Sequence, residues 1–120
     1  MVVLHDAERA DRIFHALADA TRREIVALVL AEERSVSELA RRFPTSFAAV
    51  QKHVVVLERA GLVTKRRHGR EQRVRGEPDA LREAHRLLDR LETLWRDRID
   101  RIDEILAEDP DSRRGNPQCQ

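Results

Sequence analysis

The stretch that decides the fold is residues 35–63, SVSELARRFPTSFAAVQKHVVVLERAGLV, in which two short helices are separated by only a few residues. Ser35 followed three positions later by Glu38 forms a capping box, which predicts the start of the first helix. Pro44 predicts its end, because the residue before a proline avoids helical backbone angles. The positions expected to face inward are Leu39, Ala40 and Phe43.

A second helix follows, with Thr45 or Ser46 as its N-cap. The positions expected to be buried are Val50, Val54 and Leu57. Gly61 is well placed to end this helix in the left-handed conformation. Two helices joined by a few residues, the second starting at a Ser or Thr cap, are typical of a helix-turn-helix.

Two further helices are predicted upstream. Asp6 is expected to cap a helix that runs to Ala18. Thr21 with Glu24 forms a capping box for the next helix, which extends to about Glu33. The positions expected to be buried in that helix are Ile25, Leu28 and Val29.

Downstream of Gly61 the periodicity changes. Residues 62–64 and 72–74 are short β-like runs, which predict a hairpin with Gly69 at its tip and basic residues around it. Pro78 suits the first turn of a long last helix. A helix of about 28 residues would span ~42 Å, more than a small domain needs to cover itself.

The last helix carries apolar residues at alternating steps of three and four, close to a heptad pattern. We therefore predict that part of this stripe is a dimer seam; the alternative is that the whole stripe packs on its own domain. The predicted interface residues are Ile13, Phe14, Leu88, Leu91, Trp95, Ile99, Ile102 and Leu106.

Length and composition fit one domain. The chain has 120 residues, of which 38% are charged and 3% aromatic, so aliphatic side chains on helices must form the core. We predict one mainly α domain at residues 6–108, with a small β-hairpin and a long terminal dimerisation helix, and a disordered tail at 109–120. The lone cysteine, Cys119, excludes an internal disulfide.

The charge is distributed unevenly. The net charge is only +1, yet residues 62–75 carry six Lys and Arg against one acid. Such asymmetry is typical of a chain with one nucleic-acid face. The N-terminus lacks a signal-peptide pattern, and no apolar run is long enough to span a membrane. These features predict a soluble, cytoplasmic protein without a membrane partner.

Residues 14–73 resemble the ArsR family of transcriptional regulators. LADATRREIV at 17–26 is similar to its "LADPTRR-IL", and SELA at 37–40 to its "-ELA". SFAAVQKHVVVLERAGLV at 46–63 is similar to its "S-PAVS-HL-VL--AGLV", with Ala48 and Gln51 departing from the family's Pro and Ser. The basic segment from Lys65 to Arg73 resembles its wing. The resemblance implies a winged helix-turn-helix homodimer that represses transcription until a signal relieves it.

The implied partner is double-stranded DNA. In a helix-turn-helix the N-terminal part of the second helix meets base edges, and a basic hairpin can follow the sugar-phosphate backbone. The residues predicted to contact DNA are Thr45, Ser46, Phe47, Ala48, Gln51, Lys52, His53, Lys65, Arg66, Arg67, His68, Arg70 and Arg73.

The family's metal-sensing cysteine motif is absent around residues 35–38, although His85, Asp89 and Glu92 share one helix face. We expect no metal and no cofactor. An unidentified small-molecule effector is a candidate partner. The alternatives are a metal-responsive repressor and a winged-helix interaction module that does not bind DNA. The sequence contains neither a nucleophile with a positioned base nor a Gly-rich phosphate loop, so it does not predict an enzyme.

Overall fold

The computed structural model describes the backbone of residues 2–108 and the side chains of residues 7–108. The predicted disordered tail and Cys119 lie outside the described residues. Within that range the elements are, in chain order, α1 (Val2–Leu17), α2 (Ala20–Ala31), β1 (Arg34–Ser35), α3 (Val36–Arg41), α4 (Phe47–Arg59), β2 (Val63–His68), β3 (Glu71–Gly76) and α5 (Pro78–Glu108).

The helix-turn-helix predicted from residues 35–63 is confirmed as α3 and α4. The Glu38 N–H donates to Ser35 Oγ at 3.1 Å, and the Ser35 N–H donates to Glu38 Oε1 at 3.4 Å, which is the predicted capping box. Gly61 follows α4 with φ of +78°, the left-handed conformation that a side chain would disfavour. The chain can therefore turn directly from α4 into β2.

The predicted starts of the two upstream helices are wrong. α1 begins at Val2 rather than after Asp6, since neither glycine nor proline interrupts this part of the chain. α2 begins at Ala20, and its cap is Asp19, whose side chain accepts the N–H of Arg22. Thr21 is therefore inside the helix and cannot form the predicted capping box.

The hairpin is confirmed, and it belongs to a larger sheet. β2 pairs antiparallel with β3 from Val63↔Gly76 to His68↔Glu71. The sequence analysis missed β1, whose two residues pair with β3 and give the strand order β1-β3-β2. A two-residue strand is too short to show alternation in the sequence. Its partner, β3, also lies almost 40 positions further along, so no local pattern indicates the pairing.

The core is aliphatic, as the composition predicted, and lies between the helices and the sheet. Its largest fully buried side chains are Ile13, Ile25, Leu39, Val50, Val54, Leu57, Leu62, Val63 and Val74. Phe14, Leu28 and Phe43 are half-buried and pack against it. Ile13 has no exposed surface left for a second chain, so we remove it from the predicted dimer interface and assign it to the core.

The chain divides into two compact units, residues 1–85 and 86–120, with the boundary inside α5. In the first unit, Ala80 and Ala84 of α5 are buried. In the second, most of the large apolar side chains of α5 are exposed, by 38% at Ile99 to 68% at Ile105, whereas Leu87 is half-buried. The others in this group are Leu88, Leu91, Leu94, Trp95, Ile102 and Leu106.

Gly76, at the end of β3, lies against α2. A Cβ at Gly76 would lie 2.7 Å from Leu30 Cδ2 and 2.9 Å from Leu30 Cα, closer than real Cβ contacts allow. The Leu30 side chain can rotate, but its backbone atom cannot move without shifting α2. This contact explains why the last residue of β3 has no side chain.

We expect Gly76→Ala to lower the free energy of unfolding by about 1–3 kcal/mol, the usual cost of overpacking. Urea denaturation at equal protein concentration measures it. Gly69→Asn is the control, since Gly69 has open space around it and Asn tolerates its φ of +65°. Equal losses in both variants would contradict the role of the Leu30 contact.

Candidate nucleic-acid interface

The N-terminus of α4 is fixed by Ser46. This residue is in an extended conformation, and its Oγ accepts the N–H of Ala49 at 3.1 Å. Ser46 rather than Thr45 is therefore the cap. The side chains of residues 45–48 are exposed, including Phe47 at 46%, so this helix start is open to a ligand.

α4 has one buried and one exposed face. Val50, Val54 and Leu57 are at most 1% exposed and hold the helix against the core. Gln51 and Lys52 are exposed on the other side, as predicted from the helical spacing. An amide and an ammonium group are thus presented together near the open end of the helix.

His53 differs from the other predicted contact residues. It is half-buried, and its Nδ1 lies 3.3 Å from Arg22 Nη1 on α2. This position ties α4 to α2, so His53 acts within the fold as a contact between helices.

Arg22 is the residue that the sequence analysis missed. Its Nε donates to the carbonyl of Ala16 at 2.7 Å, and its Nη2 donates to the carbonyl of His15 at 3.1 Å. The guanidinium therefore satisfies the end of α1 while contacting His53 of α4. A planar fork of donors makes such a three-way contact possible. Arg22 lies in the LADATRREIV motif, but the motif does not indicate which atoms the guanidinium contacts.

Asp19 completes this junction. The Arg22 N–H, donating to its carboxylate at 3.1 Å, lowers the pKa of Asp19 below its ordinary value of 3.8. The electrostatic effects of Arg22 and, more weakly, of His53 lower this pKa further, against an opposing effect of burial. The cap is therefore a carboxylate at neutral pH, which also suits the positive end of the α2 dipole.

Two of the predicted basic residues on the hairpin are held by carboxylates. Lys65 Nζ lies 3.5 Å from Glu58 of α4. Arg73 lies 3.5 Å from Glu33 and 3.3 Å from Glu71. Both side chains are half-buried, and the Lys65–Glu58 pair joins the hairpin to α4, whereas Arg73 pairs with the segment before β1 and within β3.

The other basic residues of the hairpin are exposed. Arg66, Arg67 and Arg70 form no ion pair with any residue in the range 7–108, and His68 is exposed beside them. Gly69 and Arg70 form the two-residue turn, with φ of +65° at Gly69. The tip of the hairpin is therefore a cluster of free positive charge.

Among the side chains of residues 7–108, no three His, Cys, Asp or Glu residues lie close enough together to hold a metal ion. Nor does any helix within residues 2–108 have the length and apolarity needed to cross a bilayer.

Comparison with known proteins gives consistent matches. Residues 17–66 match a family model described as a helix-turn-helix domain. The HTH-type transcriptional regulator Rv2034 of Mycobacterium tuberculosis is 41% identical over 83 residues, 69% of this chain and 78% of that protein. An ArsR-like transcriptional regulator from Rhodococcus sp. RHA1 has a TM-score of 0.74 at 35% identity, covering 82% of this chain and 93% of that one.

A third relative, fragment 1–100 of Mb0332 from Mycobacterium bovis, is described as the homodimeric winged helix-turn-helix DNA-binding domain of a possible ArsR-family regulator. It has a TM-score of 0.60 at 25% identity, covering 72% of this chain and 81% of that one.

A capped helix with one exposed polar face, followed by a basic hairpin, defines the winged helix-turn-helix class of DNA-binding proteins. The matches in sequence and structure cover most of this chain and of each relative. This chain belongs to the ArsR family of DNA-binding transcriptional regulators, a family without enzymatic activity.

The lowered pKa of Asp19 predicts a pH-dependent contribution to stability. Because the folded pKa is depressed, the carboxylate stabilises the fold above the ordinary pKa of 3.8, and this contribution is lost as pH falls through the folded value. Asn is an equally good N-cap without the charge. We therefore expect the difference in unfolding free energy between the wild type and Asp19→Asn to be larger at pH 6 than at pH 3.

Urea denaturation at the two pH values measures this difference. Ser46→Ala is the control, because it removes a cap that carries no charge, and its loss should be similar at both pH values. A difference for Asp19→Asn that does not change with pH would show that the charge of Asp19 contributes nothing.

Proposed function

We propose that this protein is a homodimeric, metal-independent repressor that binds an inverted-repeat DNA operator through α4 and the tip of the β2–β3 hairpin. The observation that carries the proposal is that α4 exposes Gln51 and Lys52 while its opposite face is buried in the core. The exposed arginines of the hairpin add positive charge to the same protein. Repression and the operator type rest on the family resemblance. The proposal places the protein in the cytoplasm, together with that DNA.

The start of α4 supports base recognition. The Gln51 amide can pair bidentately with adenine, and Lys52 can donate to guanine or to a phosphate. Phe47 and Ala48 offer apolar surface to a thymine methyl group. Thr45 and Ser46 lie at the N-terminus of the helix, where hydroxyl and backbone N–H groups can hold a phosphate.

The hairpin supports contact with the sugar-phosphate backbone of DNA, and its basic residues have two different roles. Arg66, Arg67, His68 and Arg70 are exposed and free to reach phosphates or a minor groove. Lys65 and Arg73 are occupied by Glu58, Glu33 and Glu71, so we assign them to positioning the hairpin. We also assign His53 a positioning role, because its contact with Arg22 ties α4 to α2.

The second unit supports dimerisation. Leu88, Leu91, Trp95, Ile99, Ile102 and Leu106 are all more than a third exposed, along about 27 Å of helix at 1.5 Å per residue. A continuous apolar stripe of this length marks an interaction surface. We propose that the same stripe of a second copy covers it, as the homodimeric description of the Mycobacterium bovis relative supports.

Fluorescence anisotropy with a labelled duplex from upstream of the protein's own gene, over a salt series, tests DNA binding. If a dimer neutralises ~8 phosphates, log K falls with log salt at a slope near −7. Arg67→Ala with Arg70→Ala removes four charges per dimer, so we expect the slope to flatten by about 3–4. EDTA should have no effect on the wild type.

The matched control is Arg12→Ala with Arg82→Ala, which removes the same charge from exposed positions on α1 and α5. Its slope should stay close to that of the wild type. An unchanged slope in the hairpin variant would remove the hairpin from the interface. No salt-dependent binding by the wild type would favour a protein-interaction module. A change in DNA affinity on adding Zn²⁺ or Ni²⁺ would favour a metal-responsive repressor.

Trp95→Asp should weaken the dimer about 30-fold or more, since truncating a buried interfacial Trp costs about 2 kcal/mol or more. Sedimentation equilibrium measures the change. Arg90→Asp is the control, because Arg90 is exposed on the opposite side of α5. An intact Trp95→Asp dimer would refute the seam, and equal dissociation of both variants would indicate general disruption of the helix.

A further inference from the structure

A groove lies between α4 and the β2–β3 hairpin, within the first unit. Its volume is about 620 Å³, inside the range of about 300–1,000 Å³ that is typical of small-molecule sites. Val36, Val54, Val55 and Val56 form its apolar floor and walls. Val36 and Val54 are almost fully buried, so the groove reaches down to the core.

The rim of the groove is positively charged. Lys52, Arg59 and Lys65 line it, and no Asp or Glu does. Lys65 is paired with Glu58 at 3.5 Å. Lys52 and Arg59 form no ion pair with any residue in the range 7–108, so two cations remain available to a ligand.

Neutral hydrogen-bonding groups complete the lining. Gln51 of α4 and Gln72 of β3 each present an amide to the groove. Ligand sites of this kind combine a mainly apolar surface with a few polar groups that fix orientation. An apolar molecule would leave the cations unpaired, and a cation would be repelled, so the matching ligand has an apolar body and one negative charge.

We propose that this groove binds a small organic carboxylate with an apolar body, and that the bound ligand excludes DNA. The second half rests on the proposed function, in which Gln51 and Lys52 contact the operator. Because the same two side chains line the groove, a ligand held there occupies part of the surface that DNA needs. The ligand therefore acts by direct competition.

The first experiment tests the site without DNA. The full chain, labelled with ¹⁵N, is titrated by NMR with 1-naphthylacetate and, separately, with the neutral 1-naphthylacetamide, which has the same apolar body. We expect saturable shifts centred on Val54, Val55, Val56 and Gln72. The amide should bind about tenfold more weakly, since it lacks a charge-assisted contact.

Arg59→Gln should reduce carboxylate affinity to about that of the amide, and it leaves the proposed DNA contacts in place. Arg12→Gln removes an exposed cation of α1 that does not line the groove, and should bind the carboxylate like the wild type. Equal binding of the two probes, shifts centred on residues 86–108, or an unaffected Arg59→Gln variant would overturn the site.

The second experiment tests competition. Saturating 1-naphthylacetate should raise the apparent Kd for the labelled duplex in the wild type, and much less in Arg59→Gln. An unchanged Kd, with the probe shown by NMR to be bound, would overturn the competition while leaving the site. Failure of the wild type to bind any duplex would refute the proposed function. The NMR titration would still show whether the groove binds the carboxylate.

Discussion

Burial of one face of α4 is the constraint on which the rest of the site depends. Val50, Val54 and Leu57 are sequestered from water, and each fully buried aliphatic side chain contributes about 1.5–3 kcal/mol. Rotating the helix about its axis would expose them, so its orientation is fixed. The same restraint decides that Gln51 and Lys52 face outward. The buried residues thus determine which side chains α4 exposes.

The acidic residues around the hairpin decide which of its cations are available. Glu58 pairs with Lys65, and Glu33 and Glu71 pair with Arg73, whereas Arg66, Arg67 and Arg70 form no ion pair within residues 7–108. Arg66 and Arg73 are directly opposite each other across the hairpin, where like charges repel. The two carboxylates on Arg73 offset that repulsion. A net charge of only +1 therefore conceals a strongly basic hairpin tip.

The features that could be predicted from the sequence are those whose signal is local. The Ser35–Glu38 capping box, the left-handed Gly61 and the apolar repeat of α4 each lie within a few residues of one another. The missed features depend on distant partners. β1 forms only because Val74 and Arg73 pair with it, and Arg22 acquires its role only where α1 and α4 meet. Sequence spacing alone could not separate a cation free for DNA from one already paired.

The proposed competition requires less of the protein than an allosteric signal would. An allosteric effector needs two global states and a difference in affinity between them. A ligand in the groove between α4 and the hairpin needs neither, because Gln51 and Lys52 line the groove and are also the proposed DNA contacts. Competition also sets the sign of the response, since bound ligand can only weaken DNA binding. A repressor built in this way would be relieved by its ligand, with no metal site and no movement of its helices.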